Sequence, residues 1–167
     1  GLGLTDVQNT PAKGNPYYLF NVYGALDSEN EWWYDEEEQM LYLYGDPTGK
    51  TVQVKARDTA INLDNVSYVN IDGIQVLGAG ISGTNTSSIT LNRVEANYAA
   101  HASTIENPYG TDVASIKLFG NNNTISNCEV AYSSATGVWI SGDDNLLFNS
   151  KIHDTDYIGS YGACINV

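Results

Sequence analysis

The chain has 167 residues, with 20 acidic against 7 basic side chains and a formal net charge of -13, a length that suits one domain of ordinary size. That balance excludes a protein that grips nucleic acid or anionic lipid through a broad basic face. With 42% apolar and only 16% charged residues the chain can bury a core and is not a disordered acidic tail, and no run approaches the roughly 18 consecutive apolar residues of a membrane helix.

In chain order, Gly1 to Thr5 carry neither the basic flank nor the long apolar run of a signal peptide. Leu19, Val22, Tyr23 and Leu26 fall at helical spacing and predict a short helix. Trp32 to Tyr34 and Leu41 to Tyr44 flank the acidic turn Asp35-Glu-Glu-Glu-Gln39, the pattern of a β-hairpin. Residues 41–167 are read as the main body, and residues 1–40 as a capping segment that covers its open first edge. Cys128 and Cys164 are too few for a disulfide scaffold or a zinc site and predict burial as small apolar side chains, or simple exposure. Sequons at Asn65, Asn85 and Asn122 are expected by chance in a chain so rich in Asn, Ser and Thr.

From Leu41 onward the chain repeats. The pair Ile61 and Leu63 recurs as Ile81 and Gly83, Ile116 and Leu118, Val138 and Ile140, and then Ala163 and Ile165; Leu41, Leu43 and Val54 extend the series upstream. A second set runs Val69 and Ile71, Ile89 and Leu91, Ile125 and Asn127, Leu147 and Asn149; a third runs Ile74, Val94, Val130, Ile152. Each copy holds three very short segments with every second side chain apolar, separated by Gly, Asn, Asp, Ser and Thr. The period is too short for a strand–helix–strand unit of about 30 residues. It fits one turn of a parallel β-solenoid whose equivalent residues stack about 4.8 Å apart. Ile61, Ile81, Ile116 and Val138 then form an apolar ladder, and Asn127 with Asn149 an inward amide ladder at a bend. The fold class is all-β, about five coils, with the last strand, Ala163 to Val167, left unclosed. Because solenoids need capped ends, that end predicts further coils or end-to-end stacking with another chain.

Three segments per coil with Asn at the bend between the second and third resembles the right-handed parallel β-helix of the pectate-lyase-like superfamily. The phrases that carry the likeness are Asn123-Thr-Ile-Ser-Asn-Cys-Glu-Val130, Gly137-Val-Trp-Ile-Ser-Gly142 and Asn145-Leu-Leu-Phe-Asn-Ser-Lys-Ile-His-Asp154. Upstream, Tyr18-Leu-Phe-Asn-Val-Tyr-Gly-Ala-Leu-Asp27, Glu31-Trp-Trp-Tyr-Asp35 and Met40-Leu-Tyr-Leu-Tyr44 resemble the N-terminal segment of large secreted bacterial β-helix proteins, many of them carbohydrate-active. The resemblance implies a secreted or cell-surface protein with a polysaccharide or oligosaccharide partner, neither binding nucleic acid nor inserting in a membrane.

In that superfamily glycan usually lies along the outer groove of the first strand of each coil. Here the outward column reads Asn62, Ser82, Lys117, Trp139, Cys164. The loop entering the third copy, Asn97 to Asp112, is longer than its counterparts, and long loops on a rigid scaffold often carry function. It brings His101, Glu106, Tyr109 and Asp112 beside Lys117 and Trp139. Trp139 offers a stacking face for a pyranose, or is simply a surface aromatic. His101 suits a general base near neutral pH, although a lone loop histidine is more often only solvated. Glu106 and Asp112 suit a glycosidase acid and its partner if their carboxyls stand about 5–5.5 Å or 6.5–9.5 Å apart.

A second candidate is the last loop, where His153, Asp154 and Asp156 cluster, with Tyr157 and Tyr161 for sugar contact. Gly142-Asp-Asp-Asn145 reads as a solvated turn. Ca²⁺ is compatible with these oxygen-rich turns, but no spacing requires it or any other cofactor.

A polyuronate lyase must neutralise the substrate carboxylate. Only Lys117 lies on the favoured groove, while Lys55, Arg57, Arg93 and Lys151 fall on or beside the third strand. A glycoside hydrolase acting on a neutral or weakly charged glycan is therefore the expected parent activity. The alternatives are a polysaccharide lyase and a non-catalytic solenoid that binds glycan, adheres or self-assembles.

Overall fold

The computed structural model describes residues 13–14, 22–101, 113–157 and 162–167. The chain divides into two compact units, 1–52 and 53–167. In the first, strands β1 (Trp32–Asp35) and β2 (Met40–Leu43) pair antiparallel as the expected hairpin. Its acidic tip is closed by Asp35, whose Oδ1 accepts the backbone N–H groups of Glu37 and Glu38 at 3.0 and 3.1 Å, the Asx-turn chemistry that suits aspartate to such bends. Trp33 packs against the rings of Tyr23 and Tyr42, with centroids 5.0 and 5.5 Å away. Of the expected helix, the described part is a 3₁₀ turn over Tyr23–Ala25; Leu19 lies outside the described residues. Leu41 and Leu43 belong to β2 rather than to the repeat, which opens at residue 59. The hairpin partner facing them supplies the backbone hydrogen bonds that a neighbouring coil would otherwise give.

The second unit is a parallel β-helix. Its first coil holds β3 (Thr59–Asn62), β4 (Asn70–Asp72) and β5 (Gln75–Leu77), and its second β6 (Gly80–Ser87), β7 (Thr90–Asn92) and β8 (Glu95–Asn97). The third holds β9 (Ala114–Asn121), β10 (Thr124–Ser126) and β11 (Glu129–Ser133), the fourth β12 (Thr136–Ser141), β13 (Leu146–Phe148) and β14 (Lys151–Thr155), and β15 (Ile165–Asn166) begins a fifth. First strands stack in the order β15-β12-β9-β6-β3, second strands as β13-β10-β7-β4 and third strands as β14-β11-β8-β5.

The ladder Ile61, Ile81, Ile116, Val138 stands in register as expected, and Ile81, Ile116 and Val138 are wholly buried. Two other columns are offset from the expected alignment. Ile125 stacks on Leu91, not Ile89, and Val130 stacks on Ala96, not Val94. Ile74 and Val94 instead sit just before the third strands, where their carbonyls accept the N–H groups of Glu95 and Glu129 at 3.0 and 2.9 Å. Val138 likewise pairs with Ile165, where Ala163 was expected. Each offset is two residues, a slip that keeps the strand residues Ile125, Val130 and Ile165 on the inner face.

That slip also moves the asparagines. Asn127 and Asn149 occupy the bend itself, with left-handed φ of 54° and 45°, and their side chains are exposed rather than inward. The ladder exists all the same: Asn149 Nδ2 donates to Asn127 Oδ1 at 2.5 Å, Asn127 Nδ2 to Asn92 Oδ1 at 2.7 Å and Asn92 Nδ2 to Asp72 Oδ1 at 2.9 Å. Asp72 also holds Arg93 in a two-pronged ion pair at 2.8 and 2.5 Å, and the guanidinium keeps its carboxyl below the usual carboxylate range. The buried amide is Asn123. Its Oδ1 accepts Ile89 N–H at 3.0 Å and its Nδ2 donates to Thr86 Oγ1 at 3.0 Å, satisfying polar groups that burial would otherwise penalise. Cys128 is buried and Cys164 exposed, both as free thiols.

Candidate functional site

Alternation along the first strands turns every second side chain outward, and the register lines these up as Asn62, Ser82, Lys117, Trp139 and Asn166. Asn166 takes the place expected for Cys164, for the same two-residue reason. Phe119, two residues beyond Lys117, lies on the same face. Its ring meets that of Trp139 edge to face at 5.2 Å. The Lys117 ammonium lies 4.6 Å from the Phe119 centroid and 5.4 Å from that of Trp139, cation–π contacts worth roughly 0.5–1 kcal/mol each at a partly exposed site. All three side chains are half-buried. Asn62 is engaged locally, its Oδ1 accepting Asp64 N–H at 2.7 Å.

His101 and Tyr157, placed by the sequence in separate candidate loops, meet: Nδ1 and the phenol oxygen are 3.2 Å apart. Desolvation, and secondarily the charge of Lys55, hold the His101 pKa below the ordinary imidazole value, which favours the uncharged ring. Glu106, Tyr109, Asp112 and Tyr161 lie outside the described residues. Lys55 and Arg57 precede β3 rather than joining a third strand, and Lys55 pairs with Asp58 at 2.9 Å.

On the third sheet His153 is clamped from two sides, Nδ1 to Asp154 Oδ2 at 2.7 Å and Nε2 to Glu129 Oε1 at 3.0 Å. Lys151 reaches the same Glu129 oxygen at 3.3 Å. Asp156 turns elsewhere; a methyl group on Gly162 would lie 3.0 Å from its Oδ1. Glu129 is the member that the sequence pattern did not single out, although it is legible there, since stacking Val130 on Ile152 places Glu129 beside Lys151. Among the described residues no group of three or more His, Cys, Asp or Glu side chains converges to hold a metal ion. Asp143 and Asp144 form the expected solvated turn.

The hydrogen bonds from Glu129 first, then Asp154, raise the His153 pKa above 6.5, while His153, then Lys151, lower that of Glu129 below 4.5. A raised imidazole contributes stability in full below its unfolded value and loses it as pH rises through the folded one; a depressed carboxyl contributes above its unfolded value and loses it as pH falls. Urea unfolding is therefore expected to show a stability advantage of the native chain over His153→Gln near pH 5.5 that fades toward pH 8.5. An advantage that is flat across this range refutes the clamp.

A shallow groove of about 460 Å³ lies on the bend before the third strands, lined by Gly73, Gln75, Arg93, Glu95, Asn127 and Glu129 among others. Its outward column reads Gln75, Glu95, Glu129, Lys151, and Gln75 Nε2 hydrogen-bonds the Glu95 carboxylate.

No protein-family model matches the chain, and no curated protein or solved structure matches it. What is established is the β-solenoid fold: three parallel sheets repeated coil by coil.

Proposed function

We propose that this chain binds polysaccharide along the outer face of the first-strand sheet, as part of a secreted β-helix protein of the pectate-lyase-like kind. The observation that carries the reading is the Lys117–Phe119–Trp139 cluster, which sets two aromatic rings and a cation on adjacent rungs of a parallel sheet. Aromatic surface matches the apolar face of a pyranose, while Ser82, Thr84 and Ser141, outward neighbours in the same register, offer hydroxyls to its edge. The side chains of Asn62 and Ser82, two rungs of the same column, add hydrogen-bonding groups at one end. A net charge of -13 favours a neutral or weakly charged glycan over a polyuronate.

Hydrolysis is the chemistry proposed for the parent protein. It needs two carboxyls across the scissile bond, and the residues assigned to that work, Glu106 and Asp112, lie outside the described residues. Elimination is the alternative chemistry, with His101, whose Nδ1 lies 3.2 Å from the Tyr157 hydroxyl, as its proposed base.

Isothermal titration of the chain with a panel of neutral oligosaccharides tests the binding. Trp139→Ala is expected to weaken it about tenfold or more, the loss typical of an aromatic anchor. Unchanged affinity rules out this face. Product analysis separates the chemistries, since reducing ends alone indicate hydrolysis and unsaturated ends elimination.

A further inference from the structure

His153 joins two coils through contacts that only its protonated form completes. It lies on β14, which ends its sheet and pairs on one side only, with β11. Its Nε2 meets Glu129 Oε1 of the third coil at 3.0 Å, and its Nδ1 meets Asp154 Oδ2 of its own strand at 2.7 Å. An ionised carboxylate only accepts hydrogen bonds, and a neutral imidazole carries a single N–H. Both contacts are therefore hydrogen bonds in the imidazolium alone. Tyr132, stacked on Tyr98 with centroids 4.9 Å apart, packs edge to face against the histidine ring at 5.9 Å.

The bond at risk is the one between coils. When the ring loses a proton, Glu129 keeps a cation, since Lys151 stands 3.3 Å from the same oxygen. The remaining N–H is then best kept on Nδ1 for Asp154, which leaves the Nε2 lone pair facing Glu129. Lys151 still pins the start of β14, but the strand beyond His153 loses its charged tie to the third coil. That segment returns to the third coil through Asp156, whose N–H donates to Ala135 O at 3.2 Å. It then reaches Tyr157, whose hydroxyl is 3.2 Å from His101 Nδ1. We infer that His153 is a pH-sensitive fastener of the last part of β14. Protonated, it holds residues 153–157 on the third coil and Tyr157 against His101; deprotonated, it lets that one-sided edge open locally while the coils beneath stay formed. Among the described residues, the charged and titratable groups around the ring are Glu129 and Tyr132 on β11 and Lys151 and Asp154 on β14, with Glu95 of β8 one rung beyond Glu129. β12, also packed against β14, carries none. Cys164 touches the same segment, its Sγ accepting the Thr155 hydroxyl at 3.2 Å. The inference is independent of the glycan-binding reading.

Amide hydrogen exchange of the full chain at pH 5.5 and 8.5, expressed as protection relative to the free-peptide rate at each pH, tests it. Cys164→Ser is the background throughout, so that the thiol plays no part. Protection of the Asp156 amide should fall about two- to fivefold from pH 5.5 to 8.5, the size expected of one exposed charged pair, while the amides of β6 and β9 keep theirs. The nuclear Overhauser contact between the His101 and Tyr157 rings should weaken over the same range. In His153→Gln, checked for folding by circular dichroism, protection of Asp156 should be flat with pH. Lys151→Gln should keep the pH response, because it acts at the start of the strand. A background chain with no response, or a response that survives in His153→Gln, overturns the inference. So does a loss of protection shared equally by β6 and β9, which would mean that the whole solenoid opens rather than its edge.

Discussion

Gly120→Ala is expected to destabilise the solenoid by about 3 kcal/mol or more, beyond the usual range for a single added methyl. A Cβ built at Gly120 would stand 2.0 Å from the carbonyl oxygen of Thr86 and 2.6 Å from its nitrogen, and one at Gly142 would stand 2.1 Å from the carbonyl oxygen of Gly120. These atoms are backbone held by the rungs of adjacent coils, so they have no rotamer to escape into. The glycines thus form a column where coils approach more closely than a side chain permits, with φ of 155° and 116°. Urea denaturation followed by circular dichroism measures the loss. Gly24→Ala is the control, since beyond its own turn its methyl meets no described residue within 4 Å and a change within about 0.5 kcal/mol is expected. Equal effects for the two would show that the coils are not stacked as described.

The next largest loss is expected from Ile116→Ala, about 2–5 kcal/mol. Ile116 is wholly buried and sits between Ile81 and Val138, so truncation removes contact with the coil on each side and leaves a cavity that β6 and β12 cannot collapse to fill. Ile61→Ala, in the same column but at the sheet edge and only half-buried, should cost about half as much, because less apolar area is lost from contact. Hydrogen exchange resolves the pattern. In a solenoid each coil leans only on its neighbours, so Ile116→Ala should speed exchange first in β6, β9 and β12. A uniform rise across all strands would point to one global core instead.

The functional surfaces arise from the same stacking. A side chain on a lone strand has no partner; the rung above and below gives Trp139 its Lys117, Tyr98 its Tyr132, and His153 its Glu129. Of these, the first pairing was readable from the 61–63 column. Phe119 was readable too, as the next outward residue of the same strand, had the face been followed beyond one position. Tyr98 and Tyr132 carried no such signal. They stand at left-handed turn positions, φ 53° and 56°, where the sequence pattern leads one to expect glycine or asparagine.

By itself the sequence determined which faces are buried, because a period of two assigns each side chain to one side of a strand whatever its partner. It determined the parallel solenoid as well, since apolar pairs recurring every twenty-odd residues leave no room for crossover helices, and it located the acidic hairpin through its turn chemistry. Register was left to the tertiary structure. A shift of two residues keeps Ile125, Val130 and Ile165 on the inner face, and only the hydrogen bonds between coils select among such shifts. The exposed asparagine ladder and Asn166 in the Trp139 column both depend on that selection, because they arise from which residues lie above one another rather than from which way each points.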